Sequence, residues 1–212
     1  MVKLNIDKNN VLSFSHKLKS TETYKISKGS RYKTISIYKE PVKVIGYAND
    51  TDSGKFVLCV DYDEIYKKLV LDDFARVQKK YSLPQAYLFS SKKERKTKQK
   101  EKIGNYHLVC LCTLKMKQVY DILCEMRCDY NYTSQPRRNP YKNWVLRLSP
   151  KGSRGRPKFL EIIGKKINLN KEVSSAHLSL LSKLYPEIPK INYLKKDKGV
   201  KVRIQEYETL NV

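Results

Sequence analysis

Two carboxylates two positions apart close an apolar run in Phe56-Val57-Leu58-Cys59-Val60-Asp61-Tyr62-Asp63-Glu64. A strand alternates its faces with period two, so Asp61 and Asp63 project to the same side. Like charges held that close repel each other unless a cation lies between them. Hard divalent ions such as Mg2+ or Mn2+ take such oxygens as ligands. The plainer alternative is a strand cut off by Asp61 and a helix capped by Asp63, since Asp favours N-cap positions. Further chemistry-bearing residues follow along the chain: His107 at the head of an apolar strand, the single acid Asp129, Arg147 within a strand, and Lys151 in the loop after it.

The elements that would carry these residues are legible from periodicity. After the acidic strand, residues 64–81 repeat apolar side chains at helical spacing and end at Ser82-Leu83-Pro84. Residues 85–90 and 103–112 read as strands, 113–127 as a helix, 128–132 as a short strand and 143–149 as a further strand. Between the second and third of these strands, residues 91–102 carry seven basic and two acidic side chains, the composition of a flexible solvated loop. The order from 56 to 149 is strand, helix, strand, strand, helix, strand. That predicts an α+β fold with a split βαβ (RRM-like, ferredoxin-like) core, its helices on one face of an antiparallel sheet. An N-terminal β-rich module is expected over 1–50, the core over 51–170, and a C-terminal helix (174–185) with a hairpin (191–194 and 200–205) over 171–212. His16 is assigned no role, His177 is read as structural, and Trp144 as core or a stacking partner.

The charge balance points to a partner. The chain has 212 residues, 44 Lys and Arg against 21 Asp and Glu, and a formal net charge of +23. Such an excess predicts a polyanion, and nucleic acid is the usual one. No long apolar run or markedly amphipathic basic helix suggests a membrane, and the start lacks the apolar core of a signal peptide, so an intracellular location is expected. The five cysteines are an odd number in apolar contexts without Cys-x-x-Cys spacing, which argues against a secreted disulfide scaffold and favours buried thiols or an adventitious disulfide over zinc.

On that frame the residues resemble the archaeo-eukaryotic primase superfamily of primases and primase-polymerases, over roughly 56–152. The family's first motif, an apolar strand ending in acid-x-acid, is matched by Val60-Asp61-Tyr62-Asp63. Its second, Ser-x-His at the head of a strand, follows a strand often ending in Ser and a variable loop. Here Tyr87-Leu88-Phe89-Ser90, a long basic loop and Asn105-Tyr106-His107 stand in that order, with Asn in place of the motif's Ser. The third, a single acid and then an Arg-bearing strand and basic loop, is matched by Asp129 and Val145-Leu146-Arg147-Leu148-Ser149-Pro150-Lys151-Gly152.

The resemblance implies template-dependent nucleotidyl transfer with two Mg2+ or Mn2+ ions, bridged by Asp61 and Asp63 and completed by Asp129. It implies that His107 contacts the triphosphate of an incoming nucleoside triphosphate, with Ser90 and Asn105 in the same nucleotide site. Arg147 would offset phosphate charge through a fork and Lys151 as a point charge. The basic residues Lys92, Lys93, Arg95, Lys96, Lys98, Arg137, Arg138, Arg154 and Arg156 would hold the backbone of a single-stranded DNA template without reading bases. No Gly-x-x-x-x-Gly-Lys-Ser/Thr loop is present, so a helicase or accessory replication protein would be a separate chain. Two other readings stand beside this one. Gly104-Asn105-Tyr106-His107-Leu108-Val109 weakly echoes the aromatic third-strand motif of a non-catalytic single-strand RNA or DNA binder with an RRM-like fold. Paired acids also serve metal nucleases.

Overall fold

The computed structural model describes residues 11–13, 21–28, 31–38, 41–92, 95–96, 102–138, 142–151, 155–167, 170–199 and 201–210. His16, Lys93, Lys98 and Arg154 lie outside them.

Four strands precede the acidic one: β1 (Val11–Ser13), β2 (Thr21–Lys28), β3 (Arg31–Tyr38) and β4 (Pro41–Ala48). The acidic strand β5 (Phe56–Tyr66) leads into α1 (Lys67–Tyr81), then β6 (Ala86–Ser90), the two-residue β7 (Arg95–Lys96) and the long β8 (Lys102–Leu114). Three helices follow, α2 (Met116–Glu125), α3 (Tyr130–Thr133) and α4 (Gln135–Arg138). The chain then runs through β9 (Val145–Arg147), β10 (Lys158–Ile163), β11 (Glu172–Val173), α5 (Ser175–Leu184), β12 (Lys195–Lys196) and β13 (Ile204–Leu210). The fold is mixed α+β. One curled mixed sheet is centred on β8, which pairs antiparallel with β5, β6, β7 and β11. A second sheet runs β1-β13-β4-β9, and β2 and β3 pair with each other alone.

The helices form where periodicity places them. Val70, Phe74 and Val77 of α1 are buried at spacings of four and three, one stripe of the helix. Lys79 and Lys80 sit in its last turn, where cations suit the helix dipole, and Ser82 ends it in the left-handed region. Val119, Ile122 and Leu123 form the matching stripe on α2. Ser174 caps α5, accepting from the backbone N–H of His177. His177 is structural as expected: it is buried, with Nδ1 2.8 Å from Ser174 Oγ and Nε2 2.9 Å from the Ala48 carbonyl. Trp144 is core, fully buried and edge-on to Phe56. All five cysteines are free thiols, three of them buried. No helix among the described residues is long and apolar enough to cross a membrane.

Five expectations are corrected. The strand expected at 128–132 is instead helix α3, because the Asp129 side chain accepts from the Tyr132 N–H at 2.9 Å and nucleates a turn. The helix expected from Glu64 begins only at Lys67, since Ile65 and Tyr66 pair with Gly104 and Ile103. Within the expected loop 91–102, Arg95 and Lys96 pair with β8 as β7. The C-terminal hairpin does not form: β12 pairs with β11, and β13 with β4 and β1. The fourth strand of a split βαβ sheet would flank β5, yet β9 pairs with β4 in the second sheet.

One glycine is required by close approach. Gly164 has φ +88°, and a Cβ there would lie 2.6 Å from Phe74 Cε1 and 2.9 Å from the Gln78 amide. That amide is itself held in place by two 2.9 Å hydrogen bonds with the Lys165 backbone. Gly164→Ala is expected to cost ~2–3 kcal/mol in urea denaturation, from backbone strain plus overpacking. Gly54→Ala, at φ +71° with nothing within 4 Å of the new methyl, should lose only about 1 kcal/mol, the strain alone. Equal losses at the two sites would contradict the packing account.

Candidate active site

The central strand β8 is buried from Gly104 to Cys112, covered on both faces. In the β5–β8–β6 register Asp61 stands opposite His107, and His107 opposite Phe89, so these three share one face. The other face carries Tyr62 and Tyr106 and is covered by α1 and α2; Asp73 and Arg76 of α1 act on the Tyr62 hydroxyl. Over the Asp61 face lie Tyr47 of β4, which bonds to the Cys59 thiol, and Tyr185, whose ring centre is 4.8 Å from that of Phe89. The candidate residues therefore lie on the face of the central sheet turned toward the second sheet.

The outer edge of β5 explains the position of the third acid. An edge strand leaves carbonyls that need donors. Here the Asp129 N–H donates to the Asp61 carbonyl at 2.8 Å, and the Tyr132 hydroxyl donates to the Cys59 carbonyl at 3.0 Å. Helix α3 thus takes the place where a fourth strand was expected, and it brings the Asp129 carboxylate close enough for its charge to act on Asp61.

Asp63 is aimed by a bulge. Tyr62 pairs with Tyr106 and Ile65 with Gly104, so Asp63 and Glu64 together oppose the single residue Asn105. Glu64 adopts φ 47°, a left-handed conformation unusual for a side-chain-bearing residue. The buried Asn105 donates its amide to Asp63 Oδ1. Asn105 is thereby a positioning residue for a carboxylate, a role that the motif comparison with Ser does not suggest.

Arg147 enters from the second sheet, paired with Gly46 of β4. Its buried guanidinium donates to the carbonyls of Ser149 at 2.6 Å, Ser91 at 2.8 Å and Gly155 at 3.2 Å. These carbonyls hold its geometry, and its charge acts on both Asp61 and His107. Lys151 also acts on Asp61.

The electrostatics follow from this crowding. Asp61, 29% exposed at its side chain, is pushed up to about 8 by burial first, then by the negative charges of Asp63 and Asp129, with Arg147 and Lys151 pulling the other way. His107, 5% exposed, has Nε2 3.4 Å from Asp61 Oδ1. Burial, then the Arg147 charge, pushes it down to about 3, so the imidazole is neutral near pH 7. Its position offers contact with Asp61 more than with an arriving nucleotide.

The structure treats the remaining expected residues unevenly. Ser90 Oγ donates to the Lys92 carbonyl at 2.5 Å, within its own turn. Lys92 and Arg95 are both ion-paired to Glu64, at 2.7 and 2.5 Å. Arg137 donates to the Tyr120 hydroxyl at 3.1 Å on an exposed surface. Arg156 belongs to the fold instead of to a solvated loop: it donates to the Leu184 carbonyl at 2.6 Å and lies 4.8 Å over the Tyr185 ring. Lys96 and Arg138 end β7 and α4. The sequence reading missed Glu64, Ser91 and Tyr132; only the acid at 64, beside Asp63, carried any signal.

Among the described residues no group of three or more His, Cys, Asp and Glu forms a ready-made cage for a metal ion. A Mg2+ ion does not require one, since it is commonly held by one or two carboxylates together with waters and substrate phosphates. Burial first, and then the charges of Asp63 and Asp129, raise the proton affinity of Asp61, and carboxylates crowded in this way suit a divalent cation.

A pH prediction follows. Folding holds a proton on Asp61 that the unfolded chain, with an ordinary carboxylate pKa of about 3.9, has already released. This group therefore costs the metal-free protein stability as pH rises from about 4 to about 8. Asp61→Asn removes that dependence. Denaturation at pH 4, 6 and 8 should show the variant gaining progressively on the parent protein, by on the order of 1–3 kcal/mol at pH 8. Parallel profiles would show that Asp61 titrates normally. Comparisons of the chain with family models, with curated proteins and with solved structures gave no match, so a functional reading has this geometry as its footing.

Proposed function

We propose that the chain is a template-dependent nucleotidyltransferase of the archaeo-eukaryotic primase type, a DNA primase or primase-polymerase. One observation carries the reading: Asp63 of the same strand, Asp129 at the cap of α3, and Arg147 and Lys151 in and after β9 all act electrostatically on Asp61, with His107 beside it. Repelling carboxylates flanked by fixed cations suit a metal–triphosphate complex, in which anionic and cationic partners alternate. In this reading β5, α1, β6, β8 and α2 form the split βαβ core, with α3 in place of the strand that would flank β5.

Asp61 and Asp63 would hold two divalent ions, Mg2+ or Mn2+, with Asp129 at the ion nearest the attacking 3′ oxygen. Bound there, the ions would supply activation of that oxygen and charge neutralisation at the leaving pyrophosphate. Asn105 keeps the Asp63 carboxylate in orientation. His107, neutral and buried, backs Asp61. Arg147 and Lys151 place positive charge where phosphate oxygens would lie, and the excess basic charge of the chain would steer single-stranded template and nucleoside triphosphates toward it. An unwinding partner would be a separate protein.

The reading as a plain single-strand binder needs exposed rings at the centre of the sheet for base stacking. Tyr62 and Tyr106, at the centres of β5 and β8, are fully buried, and Phe89 is nearly so. Three acids on the opposite face would also repel phosphates.

The test is incubation with single-stranded template, Mg2+ or Mn2+ and labelled nucleotides, beside Asp61→Ala/Asp63→Ala. We expect metal-dependent product growth that the double variant loses by ~10²-fold or more, the scale of removing preorganised charge stabilisation. Strand cleavage in place of growth would make the protein a metal nuclease. Equal strand binding by both proteins with no product would make it a passive binder.

A further inference from the structure

Glu64 lies next to a candidate metal ligand, carries the strained backbone of the bulge, and engages two cations, Lys92 just after β6 and Arg95 of β7. Its Oε1 is 2.7 Å from Lys92 Nζ and its Oε2 2.5 Å from Arg95 Nη2, with all three side chains substantially exposed. One oxygen on an ammonium and the other on a guanidinium is the arrangement a phosphate would adopt between the same groups. Exposed ion pairs of this kind are weak and readily exchanged. Glu64 holds a positive φ, a backbone conformation that costs energy and that clusters at binding and switch sites.

We propose that Lys92 and Arg95 form a phosphate-binding fork for the nucleic-acid strand, and that Glu64 fills this fork as an internal stand-in for phosphate. The proposal rests on the nucleotidyltransferase reading for the identity of the strand. When a backbone phosphate enters the fork it displaces the Glu64 carboxylate. The bulge that aims Asp63 is then freed from its tie to the basic turn, so strand arrival is coupled to the carboxylate centre. Glu64 is in this sense a competitor built into the chain: it keeps the fork assembled while empty and weakens non-productive capture of polyanions by a highly cationic protein.

The test is fluorescence anisotropy of a labelled single-stranded DNA oligonucleotide with the full chain, without nucleotides, over a salt series. Four proteins are compared: the parent, Glu64→Gln, Lys92→Gln/Arg95→Gln, and the triple variant combining them. Glu64→Gln should bind roughly fivefold tighter, the release of about one exposed ion pair. Its log K against log[salt] slope should steepen by about one, because a further cation is available to phosphates. In the Lys92→Gln/Arg95→Gln background the Glu64→Gln gain should vanish. A gain that persists there would overturn the proposal, since it would reflect only the removal of a negative charge. Unchanged affinity of Glu64→Gln for a strand that the parent binds would also overturn it, while leaving the nucleotidyltransferase reading intact. Failure of the parent protein to bind single strands even at low salt would remove both.

Discussion

Negative charge crowded around Asp61 is the constraint that the rest of the candidate site answers. Three acids near one another in a partly desolvated setting are unfavourable, and the rise in the proton affinity of Asp61 expresses that cost. Each acid is nevertheless held in place by hydrogen bonds of the backbone or of a neutral side chain. Asp61 is fixed by strand pairing, Asp63 by the Asn105 amide, and Asp129 by its cap to Tyr132 and its backbone bond to Asp61. The positive charges that moderate the crowding come from another sheet and another loop.

The two sheets thus divide the charges between them, the acids on the β5 side and Arg147 on the other. Arg147 is buried, and an unsolvated guanidinium would be costly without acceptors. Carbonyls of Ser91, Ser149 and Gly155 supply them, so the cation is anchored jointly by the turn after β6 and the segment after β9. The apolar layer beneath, from Cys59 and Val109 to Phe89 and Tyr185, keeps water from that side of the sheet. Charges facing such a layer interact more strongly than they would at a fully wet surface.

The bulge in β5 is the local irregularity that lets a strand present two acids in different settings. Strict alternation would give Asp61 and Asp63 equivalent positions on the sheet. The extra residue instead leaves Asp61 half-buried against His107 and swings Asp63 into exposure beside Asn105, with Glu64 taking the backbone strain. The two acids of the pair thus sit in unlike environments, one half-buried beside His107 and the other exposed on the Asn105 amide.

Much of this could be read from the residues alone. Apolar periodicity fixes β5, α1, β6, β8, α2 and α5 to within a few residues, because their buried stripes are local properties of the chain. The acid-x-acid ending and the pairing of His107 with the acidic strand also follow from order and alternation. The chain could not announce what depends on distant partners. Whether Cys128 to Tyr132 became strand or helix turned on a cap hydrogen bond and on the unfilled carbonyls of β5. Whether β9 flanked β5 or joined β4 turned on which edge was already taken. Basic residues look alike in sequence, yet Arg147 is buried among carbonyls, Arg156 stacks on Tyr185, and Lys92 and Arg95 share Glu64. Side-chain type set which charges exist; only tertiary packing, through burial and competition for hydrogen-bond partners, decided which of them face Asp61.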